Sequence, residues 1–131
     1  MDVLSPIDGS DCSFRALEFA VEFADRFGAS LHVVHFSEGA DDSATEIFDR
    51  ANALLAEHDV VVDPELVTGV GLSEPGYADN VGKDILRLVE ERGYDHVVMG
   101  HHGTDAIGRI ILGSASETVL RASEVPATMV P

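Results

Sequence analysis

Hydrophobic and polar positions change their period several times along this chain. Val3 to Ile7 is a short apolar run closed by Asp8-Gly9-Ser10, the pattern of a strand and its turn. From Ser13 to Phe27 the spacing becomes helical. Phe14, Leu17, Val21 and Ala24 recur at three- or four-residue steps, with Glu18, Glu22 and Asp25 between them. Gly28 suits the left-handed position just past a helix end. Leu31 to Phe36 reads as a second strand. Ser43 opens a second helix, with Glu46 at capping-box spacing and Ile47, Ala51, Leu54 and Leu55 as its buried stripe. Val60 to Val67 reads as a third strand, and Pro64 inside it predicts a sheet edge, because proline donates no ladder hydrogen bond. Residues 68–82, TGVGLSEPGYADNVG, show no clear period and read as loop. Lys83 to Arg92 predicts a third helix, with Ile85, Leu86 and Val89 inward and Gly93 after it. Asp95 to Met99 reads as strand, Ser114 to Ala122 as the last helix, and Ala127 to Val130 as a fifth strand.

Strands alternating with helices predict an α/β domain: a five-stranded parallel sheet, doubly wound, with helices on both faces and right-handed crossovers. The 131 residues suit one domain with one core, and no linker, repeat or low-complexity tract divides them. In such sheets a ligand sits beyond the carboxyl ends of the strands, where the strand order reverses. Two loops are rich in turn and polar residues: Asp8-Gly9-Ser10-Asp11 after the first strand, and the stretch from Gly100 after the fourth. If those strands are neighbours at the switch point, both loops open on one crevice.

The second loop carries a spacing of its own. Gly100, Gly103, Gly113 and Ser114 follow G-x2-G-x9-G-S, with Gly108 inside the longer gap. Glycine lets backbone approach a ligand closely. Ser114 and Glu117 have the spacing of a capping box at a helix start, where free N–H groups and the helix dipole favour an anion by about 0.3–1 kcal/mol. Ser114 and Ser116 add hydroxyls. Together these make a phosphate cradle that needs no lysine. Ordinary helix punctuation accounts equally for Gly100 and Gly113. It accounts less well for a loop as long as His101 to Gly113, since long loops in small domains tend to be functional.

Charge narrows the partners. Asp and Glu number 24 against 8 Lys and Arg, a formal net of −16, and Lys83 is the only lysine. Such a chain repels nucleic acid and anionic membranes. An acidic, lysine-poor surface of halophilic type suits a salt-rich cytoplasm, where screening relieves self-repulsion. No apolar run reaches the length of a membrane span, and the first residues lack a signal-peptide pattern, so a cytoplasmic protein is expected. The single Cys12 excludes an internal disulfide and any cysteine-based zinc cage, and reads as a small packing residue.

The chain resembles the universal stress protein family over nearly its whole length. VLSPIDGSDCSFRALEFA is similar to that family's first strand and helix, and ASLHVVHF to its second strand. DHVVMGHHGTDAIGRIILGSASETVLRASEVPATMV resembles the signature region of its nucleotide-binding subgroup, including G-x2-G-x9-G-S. The resemblance implies a flavodoxin-like sheet, a bound adenine nucleotide (usually ATP) and a homodimer. Carried over by position, Gly100, Gly103, Gly113 and Ser114 would surround phosphates and ribose, and Ala115 and Ser116 would offer backbone and hydroxyl donors. Pro6, Ile7, Asp8, Phe36 and Met99 would meet adenine and ribose, Phe36 through its backbone. Three features depart from the family: the long loop at 68–82, Phe36 in place of a valine, and a last strand closed by Pro131, which weakens the edge the family often uses to dimerise.

Other chemistry is open from the residues. His35, His101 and His102 all fall near the carboxyl edge. Adjacent histidines are expected to diverge, unlike an i, i+4 pair on a helix, so no metal ligand set is assigned; Mg²⁺ held by nucleotide phosphates and water is the expected ion. His102 or His101 would border the phosphates. Arg109 either reaches a terminal phosphate or is a solvated loop arginine. No lysine sits on the phosphate loop, and no residue is evident to orient an attacking water, so ATP hydrolysis is expected to be slow at most. Three functions therefore stand: a nucleotide-dependent regulatory module, a slow nucleotide-hydrolysing enzyme, or a nucleotide-free dimerisation module.

Overall fold

The computed structural model describes residues 1–37, 42–68, 77–102 and 113–131. Strands β1 (Asp2–Pro6), β2 (Ser30–Ser37), β3 (Glu65–Thr68), β4 (His96–Gly100) and β5 (Ala127–Val130) form one parallel sheet in the order β3-β2-β1-β4-β5. Helices α1 (Asp11–Phe27), α2 (Asp42–Glu57), α3 (Tyr77–Arg92) and α4 (Ser114–Ala122) connect them. The chain winds outward from β1 through β2 and β3, then returns to the other side of β1 with β4. The reversal therefore lies between β1 and β4, which pair directly at Val3↔His96 and Leu4↔Val97.

Successive strand residues point to opposite faces, and both faces are covered, so the strands are apolar without alternation. Val3, Val33 and Val98 pack against Leu17, Ala20 and Leu55 on the α1/α2 face. Leu4, Val34, Val97 and Met99 pack against Ile85, Leu88 and Val119 on the α3/α4 face. The predicted stripe of α1 is the observed one: Phe14, Leu17, Val21 and Ala24 are all buried. Its ends follow from side-chain and backbone chemistry. The Ser10 hydroxyl accepts the Ser13 N–H at 3.1 Å, and Gly28 closes the helix at φ 61° and ψ 34°.

Several boundaries differ from the sequence expectation. The third strand is an edge strand, as Pro64 suggested, but it begins only at Glu65. Residues 60–64 run up to it unpaired: Val60 and Val62 lean on the core and Val61 is fully exposed. Helix α2 already includes Ser43, which places Ser43 inside the first turn rather than at its cap. Helix α3 starts at Tyr77, so the last part of the expected 68–82 loop is helical. Asn80 and Gly82 are weak helix formers, which hid that start. Gly82 is there because α3 and α4 cross on it: a methyl at this position would lie 2.7 Å from Thr118 Cβ and 3.1 Å from the Ala115 carbonyl oxygen.

Two outcomes follow. Gly82→Ala gains helix propensity, yet neither Thr118 Cβ nor the α4 backbone can swing away. The variant is expected to lose about 1–2 kcal/mol, read from the midpoint of denaturant unfolding. The second outcome concerns pH. His96 stacks on Phe23 at 4.7 Å between ring centroids and shares a 2.9 Å hydrogen bond with Thr128 Oγ1. Burial holds its pKa below the ordinary 6.5. Between the folded and ordinary values the unfolded chain binds the extra proton, so stability falls as pH drops through the ordinary value and levels off below the folded one. In molar potassium chloride, where screening removes the competing relief of acidic self-repulsion, acidification from about pH 8 to about pH 5.5 should lower the unfolding midpoint. His96→Gln should make that slope shallower.

Candidate functional site

The carboxyl end of β1 is braced from β2. The Ile7 N–H donates to the Val34 carbonyl at 2.8 Å, and His35 Nδ1 lies 2.8 Å from the Ile7 carbonyl oxygen. Asp8 then folds the loop onto α1. Its Oδ1 accepts from the Ser10 N–H at 2.9 Å and from the Ser10 hydroxyl at 2.6 Å, an Asx turn that needs Gly9 at φ 89°. Asp8 itself is exposed, whereas Pro6 and Ile7 are buried. A shallow cleft beside this loop is lined by Asp8, Gly9, Phe14, Ile47 and Arg50. Arg50 lies over the Phe14 ring at 4.1 Å and pairs with Asp11 at 2.9 Å, which sets a cation beside the first loop. Sequence reading missed it, since α2 offers no local signal that this arginine turns toward β1.

The end of β4 is held more tightly. A methyl on Gly100 would come within 2.8 Å of Cys12 Sγ and 3.2 Å of the Cys12 carbonyl carbon. Gly100 is thus bare because the start of α1 rests on it. The Ser116 hydroxyl donates to the Gly100 carbonyl at 2.7 Å, the His101 N–H to the Val130 carbonyl at 2.9 Å, and the Gly113 N–H to the His101 carbonyl at 2.7 Å. These bonds join β4, β5 and the start of α4 at one point.

Helix α4 begins differently from the expected capping box. Gly113 occupies the cap position, at φ −67° and ψ 157°, and Ser114 is the first helical residue. Glycine has no side chain to cap with, and the Glu117 carboxylate turns to Arg121 at 2.8 Å. Its own N–H closes the first helical turn on the Gly113 carbonyl at 2.9 Å. The helix therefore presents its leading N–H groups beside Gly113 rather than folding a serine hydroxyl over them. Ser114 is exposed. Ser116 is buried and its hydroxyl proton is spent on Gly100, so it braces the strand end instead of offering a surface donor.

Phe36 and Met99 lie at the ends of β2 and β4, both buried on the α3/α4 face. Ala115 packs partly against the same core. Gly103 and Arg109 lie outside the described residues.

His101 and His102 do not diverge. Their ring centroids are 4.5 Å apart, with the planes tilted by 54°. Cys12 Sγ lies 3.4 Å from His101 Nδ1, and donor atoms of Cys12, His101 and His102 all fall within 4.8 Å of one another. Desolvation, then the neighbouring His102 and Arg15, push the His101 pKa down, so its imidazole is neutral at neutral pH. His35 stays apart, committed to Ile7. Among the described residues, no helix is long and apolar enough to cross a membrane.

Known proteins share this fold. The model of the universal stress protein family matches residues 1–131. A universal stress protein of Thermus aquaticus is 31% identical over 132 residues, covering 98% of this chain and 96% of its own. A universal stress protein solved in complex with cAMP superposes with TM-score 0.76 at 24% identity, over 99% of this chain and 95% of that one. Another, from Archaeoglobus fulgidus in complex with dAMP, gives TM-score 0.74 at 23% identity, over 100% and 98%. At those identities the two structures speak for the fold, an α/β sheet of the same kind. The full-length family match and the Thermus relative go further: this chain belongs to the universal stress protein family.

Proposed function

We propose that this protein binds an adenine nucleotide, ATP with Mg²⁺, at the carboxyl edge between β1 and β4, and acts as a nucleotide-dependent regulatory module in the stress response. One observation carries the reading. The switch point falls between the two strands whose loops hold Asp8 and the glycine motif, and α4 starts there on a bare Gly113. The cAMP and dAMP complexes of structural relatives support the adenine nucleotide as ligand class.

In this reading the phosphates lie against Gly100, Gly103, Gly113 and the leading N–H groups of Ser114, Ala115 and Ser116, where the helix dipole favours negative charge. His102 and Arg109 border the phosphates. Asp8 accepts from the ribose with Oδ2, since Oδ1 is taken by Ser10. Pro6, Ile7 and the backbone of Phe36 and Met99 frame the adenine. Mg²⁺, when bound with the nucleotide, would supply positive charge that offsets that of the phosphates. A second copy would pair along β5, the outer strand of the sheet.

Titration calorimetry of Mg-ATP into the protein in molar potassium chloride tests the reading. Micromolar binding is expected in wild type. Gly113→Val, which puts a branched side chain where phosphate would lie, is expected to weaken it at least tenfold, about 1.4 kcal/mol, while circular dichroism shows an unchanged fold. No binding by a folded wild type would sink the proposal and leave the nucleotide-free dimerisation module. With binding established, turnover separates module from enzyme: hydrolysis well below about one per second is expected, and a faster steady state would make the protein an ATPase.

A further inference from the structure

We infer that Cys12, His101 and His102 form a binding site for a transition-metal cation of the Zn²⁺ class, set between the first turn of α1 and the end of β4. The three come from two elements, yet their donor atoms lie within 4.8 Å of one another. A thiolate with two imidazoles is a ligand set for borderline-soft ions, not for Mg²⁺, which takes oxygen ligands. The geometry is close to what such an ion needs. With metal–sulfur near about 2.3 Å and metal–nitrogen near about 2.0 Å, tetrahedral sulfur and nitrogen ligands stand about 3.5 Å apart. Cys12 Sγ and His101 Nδ1 stand 3.4 Å apart. His102 closes the set: its ring lies 4.5 Å from that of His101 at a 54° tilt, and its donor nitrogen falls within the same 4.8 Å. Three protein ligands leave the fourth position of a tetrahedral ion to water.

The frame around the site is rigid. Cys12 is 1% exposed and sits against Gly100. The His101 backbone is fixed at both ends, its N–H on Val130 and its carbonyl on Gly113. Binding is balanced by one proton: the Cys12 thiol loses its hydrogen to solvent and the sulfur becomes the anionic ligand. That hydrogen now goes to the Val130 carbonyl at 3.2 Å, but the same carbonyl keeps the His101 N–H at 2.9 Å, so it is not stranded when the thiol ionises. The excess of carboxylates lowers the electrostatic cost of bringing a dication to this edge.

Cobalt titration of the nucleotide-free protein in molar potassium chloride tests the site, because Co²⁺ reports its ligands in its spectrum. One equivalent should raise a near-ultraviolet thiolate-to-cobalt charge-transfer band together with strong tetrahedral visible bands, and Zn²⁺ should bleach both. Surface carboxylates also bind Co²⁺, but they give no thiolate band. Cys12→Ser should abolish the charge-transfer band. His102→Gln, at a partly exposed position and with circular dichroism to verify the fold, should keep the band's origin but weaken affinity by more than the roughly 10–100-fold lost with a supporting outer-shell partner. Absence of the charge-transfer band in folded wild type overturns the proposal, as does a band that survives Cys12→Ser or an affinity unchanged in His102→Gln. The readout needs no nucleotide, so it stands or falls apart from the nucleotide site.

Discussion

One close approach governs the carboxyl edge of this sheet: the backbone of Gly100 lies directly under Cys12. Any side chain there would drive α1 off β4, since even a methyl meets sulfur and backbone below normal contact distance. With that contact in place, the rest follows within a few ångströms. Cys12 reaches the Val130 carbonyl, and Ser116 reaches back to Gly100. The pairing of β4 with β5 ends at Gly100↔Val130, and His101 continues it by one backbone bond. Two helices and two strands thus meet at one residue without a side chain. Among the described residues, these bonds tie the α4 N-terminus to the end of the sheet.

The fold was legible because its signal is periodic. Both-face burial gives β1, β2 and β4 apolar runs, and α1 repeats its stripe over seventeen residues. What misled the reading was local chemistry overruled at a distance. Gly82 looks like a loop residue in sequence and is a helix-crossing residue in space. Ser114 with Glu117 looks like a capping box, yet the cap belongs to Gly113, and Glu117 is drawn to Arg121. The glycine motif itself was readable, but Gly100 serves packing at least as directly as any ligand. The Cys12–His101–His102 cluster left no sequence spacing to find. It joins positions 89 residues apart, brought together by the pairing of β1 with β4 and by the start of α1 resting on Gly100.

The charge of −16 bears on how an anion can be held at all. Among the described residues the arginines are already engaged: Arg26 with Glu22, Arg50 with Asp11, Arg87 with Asp84, Arg92 with Glu65, Arg121 with Glu117, and Arg15 with the Pro131 carbonyl. Asp84 is buried, but the other ion pairs are exposed and contribute about 0–1 kcal/mol each to stability, so their larger effect is to occupy the cations. Arg92 is the firmest, with two bonds of 2.6 and 2.8 Å to Glu65 that tie the edge strand β3 to the end of α3. They lower the Glu65 pKa and raise that of Arg92. In the proposed nucleotide site, the backbone N–H groups and dipole of α4 would therefore matter beside Arg109 and His102, since they carry no charge that an acidic surface would claim.

His101 lies on both sides of this edge. Its ring faces Cys12 and His102, while its carbonyl holds the Gly113 N–H at the start of α4. A ligand on the ring and a ligand at the start of α4 would thus share one residue, whose backbone is already held at both ends. Coupling between two such ligands is reciprocal in free energy by necessity, whichever arrives first. Its sign depends on charge and on strain. A dication beside the phosphates lowers their repulsion with the surrounding carboxylates, and a cap already fixed costs no further ordering. Both effects favour joint occupancy, so the bond from Gly113 to His101 is where a metal signal and a nucleotide signal would meet in this fold.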